Sequence, residues 1–490
     1  MSEVSEHQEQ RLRKLAMLRA SGIDPYPARL KRSHTISEAL SAFPTADDAP
    51  PVSVQVAGRI LSWRVMGKST FGHIIDGSGK IQIYLRRDVL GEEEYNLYRR
   101  NLDIGDFVSV EGEMFRTHTG EITVKAEKVR LLTKTLRPLP EKWHGLRDVE
   151  TRYRQRYLDL LANEEVRSIF ITRTHMVAAI RRYLNERGFL EVETPILQPI
   201  YGGAAARPFT TYHNALDRTL YLRISDELYL KRLIIGGFDG VYEIGHDFRN
   251  EGLSAKHNPE FTQIEVYQAY ADYFDMMSLI EEIYACVAQE VLGTTIITFQ
   301  GHEIDLTPPW NRVTMRQAIL DATNVDIEAY PELEGLQQRA AELKLDVDPQ
   351  PTWGKLVDEI FSEYVESRFI QPTIIMDYPL EISPLAKKKA DKPHLVERFE
   401  FFIGGLECGN AFSELNDPLD QRERFEAQAS AMASGDEEAH PTDEDFLRAL
   451  EHGMPPTGGL GWGVDRMVML FTDQPSIREV ILFPQLRSKD

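Results

Sequence analysis

The chain has 490 residues, of which 42% are hydrophobic and 27% are charged, as is typical of a globular protein. A chain of this length is expected to form two or three domains, because a single hydrophobic core stops growing at roughly 250–300 residues. The formal net charge of −21 argues against a protein that coats nucleic acid nonspecifically, because such binding depends on clustered lysine and arginine.

The cysteine content and the hydropathy pattern predict a protein of a reducing, aqueous compartment. The two cysteines, Cys286 and Cys408, lie in stretches with helix and strand patterns and give no disulfide framework. No apolar run is long enough to span a bilayer, and the chain starts with the polar stretch MSEVSEHQEQ. We therefore expect a cytoplasmic protein with no membrane partner.

The first 51 residues are predicted to form a helical extension and a linker. Leucines and basic residues at helical spacing in EHQEQRLRKLAMLRASG predict a short basic helix that ends at Gly22. Thr35 and Glu38 have the spacing of a capping box, which predicts a second helix over SEALSAF. The stretch PTADDAPP that follows is typical of a linker.

Short alternating runs between Val52 and about Leu132 predict a small β domain over residues 52–135. The turn DGSG at 76–79 lies between two of these runs and predicts a β-hairpin. A five-stranded oligonucleotide-binding (OB) barrel is one candidate fold, in which an exposed Phe71 would be a stacking platform for bases. From the pattern alone, burial of Phe71 in the core is the favoured interpretation.

Prolines and basic residues over 136–165 predict a hinge into a larger domain that covers residues 166–490. The first helix of that domain is predicted to bury one apolar face and to end at Gly188. The residues of this face are Val166, Ile169, Phe170, Val177, Ile180 and Leu184. Helices and strands then alternate without a regular βαβ rhythm. We therefore predict an α+β domain built on a largely antiparallel sheet.

The segment FRNEGLSAKHNPEFTQIEVYQAY contains a predicted strand with an unusual face. With a period of two, one face carries Phe261, Gln263, Glu265 and Tyr267. The apolar residues Ile264 and Val266 lie on the opposite face, where an ordinary half-buried strand would meet its core. The polar and aromatic face is therefore expected to contact a ligand.

The glycine-rich stretch GGLGWGVDRMVML predicts a strand that passes directly into a helix. Gly459, Gly461 and Gly463 alternate along the strand, and Arg466 lies in the first helical turn. Such glycines permit a close backbone approach to a ligand, for which the arginine would supply a planar cation. A packed strand-helix turn with a surface arginine fits the same pattern, and both interpretations stay open.

The stretch ERFEFFIGGLECGNAFSELND repeats the polar and aromatic pattern. Asn410, Phe412 and Glu414 share one face of a predicted strand. Glu400 and Glu407 differ in parity, so we predict a bulge at Gly404–Gly405 that brings both to one side. Two carboxylates suit Mg²⁺, although solvated surface glutamates are the commoner case. The patterns together indicate a site for a nucleotide and a small cationic substrate.

The stretches described above, taken together, resemble those of a known family, the lysine-specific bacterial branch of the class II aminoacyl-tRNA synthetases. The resemblance extends from about Arg11 to Arg487. GFLEVETPIL, FRNEGLSAKHNPEFTQIEVY and GGLGWGVDRMVML are similar to the three motifs of class II enzymes. GGAAARPF, LRISDELYLKRL and GNAFSELND resemble signatures of the lysine-specific branch.

The resemblance implies roles for individual residues. The implied catalytic residues are Arg249 and Arg466. The implied lysine-binding residues are Gly203, Glu227, Arg249, Glu265, Tyr267, Asn410, Phe412 and Glu414. The implied ATP-binding residues are Arg249, His257, Asn258, Phe261, Glu400, Glu407 and Arg466, with Mg²⁺ held by Glu400 and Glu407. The implied anticodon-binding residues are Arg64, Phe71, Gln82 and Glu121, which overturns the pattern-based preference for a core Phe71.

The resemblance also implies an activity and partners. The implied reaction is the ATP-dependent ligation of L-lysine to tRNA(Lys) through a lysyl-adenylate, with transfer to the 3′-hydroxyl of the terminal adenosine. The implied architecture is an OB-type barrel followed by a class II catalytic domain, in a homodimer that binds neither membrane nor DNA. No residue is needed as a covalent nucleophile, because positioning and charge stabilisation supply most of the rate.

Two rival functions are weighed against this one. A protein-lysylating or diadenosine polyphosphate-making relative would generally lack the barrel predicted at 52–132. A catalytically inactive RNA-binding paralogue would be expected to lose Arg249, Arg466 or the metal-binding acids, which are all present. His246, Asp247, Leu406 and Trp462 depart from the common family pattern, and none of them has an implied role.

Overall fold

The computed structural model describes residues 6–44, 50–139, 146–433 and 441–488. The chain divides into two compact units, Met1–Leu146 and Arg147–Asp490, which are described separately. Parts of the predicted linker (45–49) and of the predicted hinge (140–145) lie outside the described residues. Within the described ranges, no helix is both long enough and apolar enough to cross a membrane.

The first unit contains two N-terminal helices and a β domain with two further helices. Its elements in chain order are α1 (Glu6–Ala20), α2 (Ile36–Ala42), β1 (Ser53–Met66), β2 (Ser69–Ile75), β3 (Lys80–Arg86), α3 (Arg87–Leu90), α4 (Glu92–Asn101), β4 (Phe107–Arg116) and β5 (Ile122–Thr133). The predicted capping box is confirmed, since Thr35 Oγ1 accepts from Glu38 N and Glu38 Oε2 accepts from Thr35 N.

The five strands form a closed barrel in the order β1-β2-β3-β5-β4. Alternate residues of β2 and β3 are buried, as expected for strands with one face on a core. The predicted hairpin is confirmed, because β2 and β3 pair antiparallel and Asp76 N donates to Gly79 O across the turn. Three backbone and side-chain donors of this turn reach Asp76 Oδ1, which fixes the turn locally.

The second unit is an α+β domain, as predicted. Its first elements are α5 (Val149–Arg154), α6 (Arg156–Ala162), α7 (Glu164–Glu186), β6 (Leu190–Glu191), β7 (Leu197–Gln198), β8 (Thr210–His213), β9 (Arg218–Leu222), α8 (Glu227–Ile235), β10 (Gly240–Phe248), β11 (Glu260–Ala269) and α9 (Tyr273–Leu292). The remaining elements are β12 (Ile296–Phe299), β13 (His302–Asp305), β14 (Asn311–Thr314), α10 (Met315–Thr323), α11 (Leu333–Glu342), α12 (Trp353–Tyr364), β15 (Thr373–Met376), β16 (Arg398–Ile403), β17 (Leu406–Ser413), α13 (Pro418–Ala433), α14 (Glu444–Glu451), β18 (Thr457–Gly463), α15 (Val464–Phe471) and α16 (Ile477–Val480).

One eight-stranded sheet organises this unit, in the order β14-β15-β16-β17-β18-β11-β10-β6. The prediction of a largely antiparallel sheet is confirmed, because only the pairs at its two ends, β14 with β15 and β10 with β6, run parallel. The predicted long helix is α7, and Ile180 and Leu184 on its apolar face are fully buried. That face shares one core cluster with α9, α15 and the apolar face of β11. The opposite, polar face of β11 lines a cleft.

The predicted bulge at Gly404–Gly405 is wrong. Both glycines have positive φ, 63° and 73°, and they form the two-residue turn between the antiparallel strands β16 and β17. Turns of this kind require positive φ at both central residues, which glycine adopts without strain. The register shift lies beyond the turn, where Glu407 and Gly409 pair with consecutive residues of β16 and Cys408 is the extra residue.

Candidate active site and barrel face

The second unit contains a cleft of about 410 Å³ over the polar face of its large sheet. Strands β11, β17 and β18 supply much of its floor, and the loop between β10 and β11 supplies part of its wall. The structure brings together in this cleft every residue predicted for lysine, ATP or metal binding: Gly203, Glu227, Arg249, His257, Asn258, Phe261, Glu265, Tyr267, Glu400, Glu407, Asn410, Phe412, Glu414 and Arg466.

The polar face of β11 presents a buried carboxylate. Gln263 Nε2 donates to Glu265 Oε1 at 2.5 Å, and Tyr267 Oη donates to Glu265 Oε2 at 3.1 Å. Burial, followed by the nearby Glu227 carboxylate, raises the pKa of Glu265 to about 8. The carboxyl group is therefore held in place by neutral donors, with no bonded cation to stabilise its charged form.

Two glycines of β18, Gly459 and Gly461, leave space that carboxylates of the protein occupy. A Cβ atom on Gly459 would lie 1.9 Å from Glu414 Oε1, and one on Gly461 would lie 2.8 Å from Glu265 Oε1. The groups that approach this strand are the protein's own carboxylates, from β11 and from the residue after β17, so a close approach to a ligand stays a prediction. A glycine-lined strand thus makes room for two acids side by side.

Lys231 on α8 is the main residue of this region that the sequence patterns did not identify. It is completely buried, its Nζ lies 2.5 Å from Glu227 Oε1, and it forms an ion pair with Glu414. Burial opposes its charged form, but the Glu227 and Glu414 carboxylates outweigh this and raise its pKa. The i,i+4 spacing of Glu227 and Lys231 in ELYLK was the available signal.

Glu414 remains only partly satisfied. The Lys231 ammonium forms an ion pair with Glu414 Oε2, whereas Glu414 Oε1 is buried and accepts no hydrogen bond within the described part of the chain. Burial raises the pKa of Glu414 to about 8, because the opposing effect of Lys231 is smaller and Glu227 adds a like charge. A buried acceptor of this kind is costly unless a donor arrives.

The cleft is also lined by cationic, amide and aromatic groups. The guanidinium of Arg249 lies 5.1 Å from the centre of the Phe261 ring. The side-chain oxygens of Asn258 and Asn410 are buried without a hydrogen-bond partner. Within the described ranges, Asn258 and Asn410 thus each have an acceptor that no protein donor uses, as a ligand site requires.

Arg466 connects the helix α15 to the loop between β10 and β11. Its Nη2 lies 3.2 Å from His257 Nε2, and its Nη1 donates to the carbonyl oxygen of Glu407. Burial, and then the Arg466 charge, lowers the pKa of His257. A neutral His257 accepts from the Arg466 guanidinium, so the cation that this wall of the cleft offers to an anion is Arg466.

Glu400 and Glu407 fit a metal site of the magnesium type. Glu400 accepts from Arg398 Nη2 at 2.5 Å and from Tyr378 Oη at 2.9 Å. Burial raises the pKa of Glu400 to about 7, with Arg398 opposing and the Glu407 charge adding to the rise. No group of three or more His, Cys, Asp or Glu suited to a metal occurs among the described residues. A like-charge pair without further protein ligands suits Mg²⁺, which keeps phosphate oxygens and waters.

The predicted anticodon-binding residues lie in the first unit: Arg64, Phe71 and Gln82 on β1, β2 and β3, and Glu121 immediately before β5. Phe71 is only half-buried and lies outside the hydrophobic core; its ring stacks on Tyr84 at 4.4 Å. Arg64 is its cross-strand partner and is exposed. The pattern-based interpretation of Phe71 as a core residue is therefore wrong.

Gln82 and Glu121 are brought into direct contact on the barrel. Gln82 Nε2 donates to Glu121 Oε2 at 2.7 Å, and His73 Nε2 lies 2.8 Å from Glu121 Oε1. His73 was not identified from the sequence, although its position two residues after Phe71 places both on one face of β2. An exposed ring beside hydrogen-bonding groups is a suitable surface for single-stranded bases.

Comparison with known families assigns both units to a class. Residues 148–487 match the family described as tRNA synthetases class II (D, K and N). Residues 54–132 match the family described as OB-fold nucleic acid binding domain. The fold and the cleft are thus those of a class II tRNA synthetase with an OB-fold domain at its N-terminal side.

Individual relatives refine this assignment. The lysine–tRNA ligase of Roseiflexus sp. (strain RS-1) is 57% identical over 489 residues, which cover 100% of each chain. The lysine–tRNA ligase of Chloroflexus aurantiacus is 56% identical over 99% of each chain. That of Bacillus subtilis is 51% identical over 99% of this chain and 98% of its own. The chain belongs to the lysine–tRNA ligase family of class II synthetases.

Proposed function

We propose that this chain ligates L-lysine to tRNA(Lys) at the expense of ATP, through a lysyl-adenylate formed in the cleft. The observation that carries the proposal is the group of buried carboxylates Glu227, Glu265 and Glu414, which share the cleft with Arg249. Buried carboxylates need cationic partners. L-lysine brings an ε-ammonium for these acids and, at its other end, an α-ammonium on the same carbon as the carboxylate that the arginine would bind.

The lysine site is assigned as follows. Glu227 and Gly203 receive the α-ammonium, and Glu265, Tyr267 and Glu414 surround the ε-ammonium. Arg249 and Asn410 bind the carboxylate, while Phe412 on β17 lines the path between the two ends. The pKa values of Glu265 and Glu414, both raised to about 8 by burial, support the assignment. The ε-ammonium would give Glu265 a cationic partner and Glu414 a second one beside Lys231.

The ATP site occupies the arginine side of the cleft. Phe261 stacks on the adenine, His257 and Asn258 lie near adenine and phosphates, and Arg466 binds the γ-phosphate of a bent ATP. Glu400 and Glu407 would hold Mg²⁺, which neutralises phosphate charge when it is bound. Support comes from the fixed guanidinium of Arg466 and from the carboxylate pair, whose mutual repulsion a divalent cation relieves.

The reaction requires positioning rather than a covalent nucleophile of the protein. A carboxylate oxygen of lysine attacks the α-phosphorus in line, the bond to the bridging β-phosphate oxygen breaks, and pyrophosphate leaves. Arg249 contacts both the carboxylate and the α-phosphate and stabilises the charge that develops between them. The 3′-hydroxyl of the terminal adenosine of tRNA then attacks the lysyl carbonyl carbon, and AMP leaves.

The barrel face is proposed to bind the anticodon of tRNA(Lys). Phe71 stacks on a base, and Arg64, Gln82 and Glu121 supply hydrogen bonds. The half-buried Phe71 ring and the Gln82–Glu121 contact support this assignment. We propose the boundaries 52–135 for this OB domain and 166–490 for the catalytic domain, with the extension 1–51 and the hinge 136–165 beside them.

A cytoplasmic homodimer is proposed as the working form, with no membrane or DNA partner. The segment similar to the first class II motif exposes Leu190, Ile196 and Leu197, each by more than 40% of its surface. Exposed apolar residues grouped in one segment are typical of an interaction surface. Sedimentation equilibrium of the purified chain tests the dimer.

Amino-acid-dependent ATP–pyrophosphate exchange tests the proposed function. The purified chain is assayed with Mg²⁺, without tRNA, and with each of the twenty amino acids in turn. We expect exchange with lysine alone. Exchange with another amino acid, or with none, would contradict the assignment of the acidic end of the cleft.

A further inference from the structure

Four strands of the barrel place a row of polar residues side by side, next to Phe71. Cross-strand pairing makes neighbours of one residue each on β1, β2, β3 and β5, in the order Ser62, His73, Gln82 and Thr123. Glu121 lies two residues before Thr123 and joins this row. Side chains that are cross-strand neighbours on one face of a sheet are close enough to interact directly.

A continuous chain of hydrogen bonds connects the row. Ser62 Oγ lies 2.7 Å from His73 Nδ1, and His73 Nε2 lies 2.8 Å from Glu121 Oε1. Gln82 Nε2 donates to Glu121 Oε2 at 2.7 Å, and Thr123 Oγ1 donates to Gln82 Oε1 at 2.8 Å. Both oxygens of the carboxylate and both polar atoms of the amide therefore have a protein partner.

The carboxylate determines the direction of these hydrogen bonds. An ionised carboxylate only accepts, so His73 donates from Nε2, and the Nδ1 of a neutral ring then accepts from the Ser62 hydroxyl. For the same reason the amide of Gln82 turns its NH2 group to Glu121 and its oxygen to Thr123. A half-turn of this amide would set its oxygen against the carboxylate. The orientation of the amide is therefore fixed by its neighbours.

The fixed amide matters because of the way in which the two pyrimidine bases differ. Uracil has a donor at N3 and an acceptor at O4, whereas cytosine has an acceptor at N3 and a donor at N4. A half-turn of a glutamine amide makes the same exchange of donor and acceptor. An amide that turns freely can thus pair with either base, whereas an amide held in one orientation favours only one of them.

The amide of Gln82 keeps hydrogen-bonding capacity for a base. Among the described residues, Glu121 uses one of its N–H groups and Thr123 uses one lone pair of its oxygen. One N–H and one lone pair remain. Tyr84 follows two residues later on the same face of β3, and its ring stacks on Phe71 at 4.4 Å. A base that stacks on these rings therefore has the amide beside its edge.

We propose that His73 and Thr123 are positioning residues that fix the donor and acceptor order of the barrel face, and so determine its preference for uracil over cytosine. His73 acts through Glu121, and Thr123 acts through Gln82. Lysine codons have adenine in their first two positions, so base pairing places uracil in the anticodon of tRNA(Lys). The inference rests on the proposed function, because it requires that the barrel face reads this anticodon.

The test measures charging of tRNA(Lys) transcripts in which one anticodon uracil at a time is replaced by cytosine. Thr123→Val removes the hydroxyl at nearly unchanged volume, and His73→Leu removes both ring nitrogens. In each variant we expect the uracil-to-cytosine ratio of kcat/KM for tRNA to fall about tenfold at the position that Gln82 reads. ATP–pyrophosphate exchange without tRNA should stay within about twofold of wild type.

Conservative variants separate this role from a general loss of structure. Thr123→Ser retains the hydroxyl and His73→Gln retains a donor for Glu121, so both should keep a ratio near that of the wild type. Thr70→Val is the matched control, because Thr70 is a buried threonine of β2 whose hydroxyl pairs with Tyr95 and not with the row. This variant should lose thermal stability and keep the wild-type ratio.

The remaining outcomes decide against the proposal. An unchanged ratio in either Thr123→Val or His73→Leu would overturn it, as would an equal fall in Thr70→Val. A loss of kcat/KM that is the same for all transcripts would also overturn it, because a distorted barrel has that effect. A wild-type protein that charges uracil and cytosine transcripts equally would instead refute the proposed anticodon face, and one that charges no transcript would refute the proposed function.

Discussion

Two buried lysines, one in each unit, lie between pairs of carboxylates, but only one pair is satisfied. Around Lys134 every carboxylate oxygen of Asp103 and Asp106 accepts a hydrogen bond, from Lys134, Lys14, Thr135 or backbone N–H groups. Around Lys231, Glu414 Oε2 forms an ion pair with the ammonium, but Glu414 Oε1 has no hydrogen-bond partner among the described residues. We call the first cluster closed, because all of its carboxylate oxygens accept hydrogen bonds from the protein. We call the second cluster open, because it contains a buried carboxylate oxygen that accepts none.

The pKa values express the same difference. The pKa of Asp103 is lowered, because the hydrogen bonds from Lys134 and Lys14 outweigh the effect of its burial. The pKa values of Glu265 and Glu414 are raised to about 8, because burial outweighs their partners. Open acids of this kind are held protonated until a cation arrives, so a buried acid with unused acceptor capacity marks a cation-binding site better than burial alone.

The largest expected effect comes from the cationic half of the open site. Arg249→Ala should lower lysine-dependent ATP–pyrophosphate exchange by about 10³-fold, because the arginine is proposed to stabilise both reacting groups. Arg448→Ala, in which an exposed arginine of the same unit is removed, is the control and should have normal activity. Exchange within about tenfold of wild type in Arg249→Ala would remove this residue from the mechanism.

Removal of the cation from the closed cluster should affect stability instead of activity. Lys134→Met leaves Asp103 and Asp106 buried without their ammonium and should lower the free energy of unfolding of the first unit by about 3–5 kcal/mol. Urea titration monitored by circular dichroism measures this loss. A large increase in the lysine KM of the folded variant would break the distinction between closed and open clusters.

Neutralising an open carboxylate should weaken lysine binding selectively. Glu414→Gln should raise the lysine KM by about 10- to 100-fold, because one charged hydrogen bond to the ε-ammonium is lost. The ATP KM should stay near its wild-type value. Glu444→Gln, an exposed glutamate on α14, is the matched control. An equal rise of the lysine and ATP KM in Glu414→Gln would argue against contact with the ε-ammonium.

The barrel contains an open surface as well as its closed cluster. Phe71→Ala should weaken tRNA charging by about tenfold, because base stacking on an aromatic ring contributes roughly 1–3 kcal/mol. The exchange reaction without tRNA should be unaffected in the same preparation. Charging at the wild-type rate would mean that the Phe71–Tyr84 stack serves the barrel and not the anticodon.

The pH dependence of stability gives the smallest effect. A carboxyl group whose pKa is raised in the folded state binds more protons there than in the unfolded chain, so its burial destabilises the fold as pH rises toward the folded pKa. Glu265, Glu414 and also Asp247, with pKa values near 8, 8 and 6, act in this direction. Between pH 6 and pH 8, both glutamates should therefore lower the free energy of unfolding as the pH rises.

Thermal unfolding with and without L-lysine measures this effect. The melting temperature of the free protein should fall from pH 6 to pH 8, and saturating lysine should raise it more at pH 8 than at pH 6. A melting temperature that rises over this range, or a lysine effect independent of pH, would show that the open acids are already ionised.

Much of the site was predictable from the sequence because its residues repeat on strands. The period of two placed Gln263, Glu265 and Tyr267 on one face of β11, opposite two core residues, and the structure has them there. Alternate glycines likewise predicted the strand β18. Local periodicity was sufficient for both.

Features that depend on contacts distant in the chain were not predictable in the same way. Lys231 lies on a helix with an ordinary amphipathic pattern, and its role appears only when the end of β17 brings Glu414 to it. The placement of the bulge at Cys408 instead of at the glycine turn depends on the pairing register of β16 with β17. His73 acquires its contact from Glu121, which is 48 residues away in the chain.

The central claim is that the open carboxylates stay protonated until the ammonium groups of lysine bind. Isothermal titration calorimetry of L-lysine binding at pH 7, in two buffers that differ in ionisation enthalpy, measures this directly. The account predicts that roughly one proton or more is released for each lysine bound. Equal binding enthalpies in the two buffers, and hence no proton release, would contradict it.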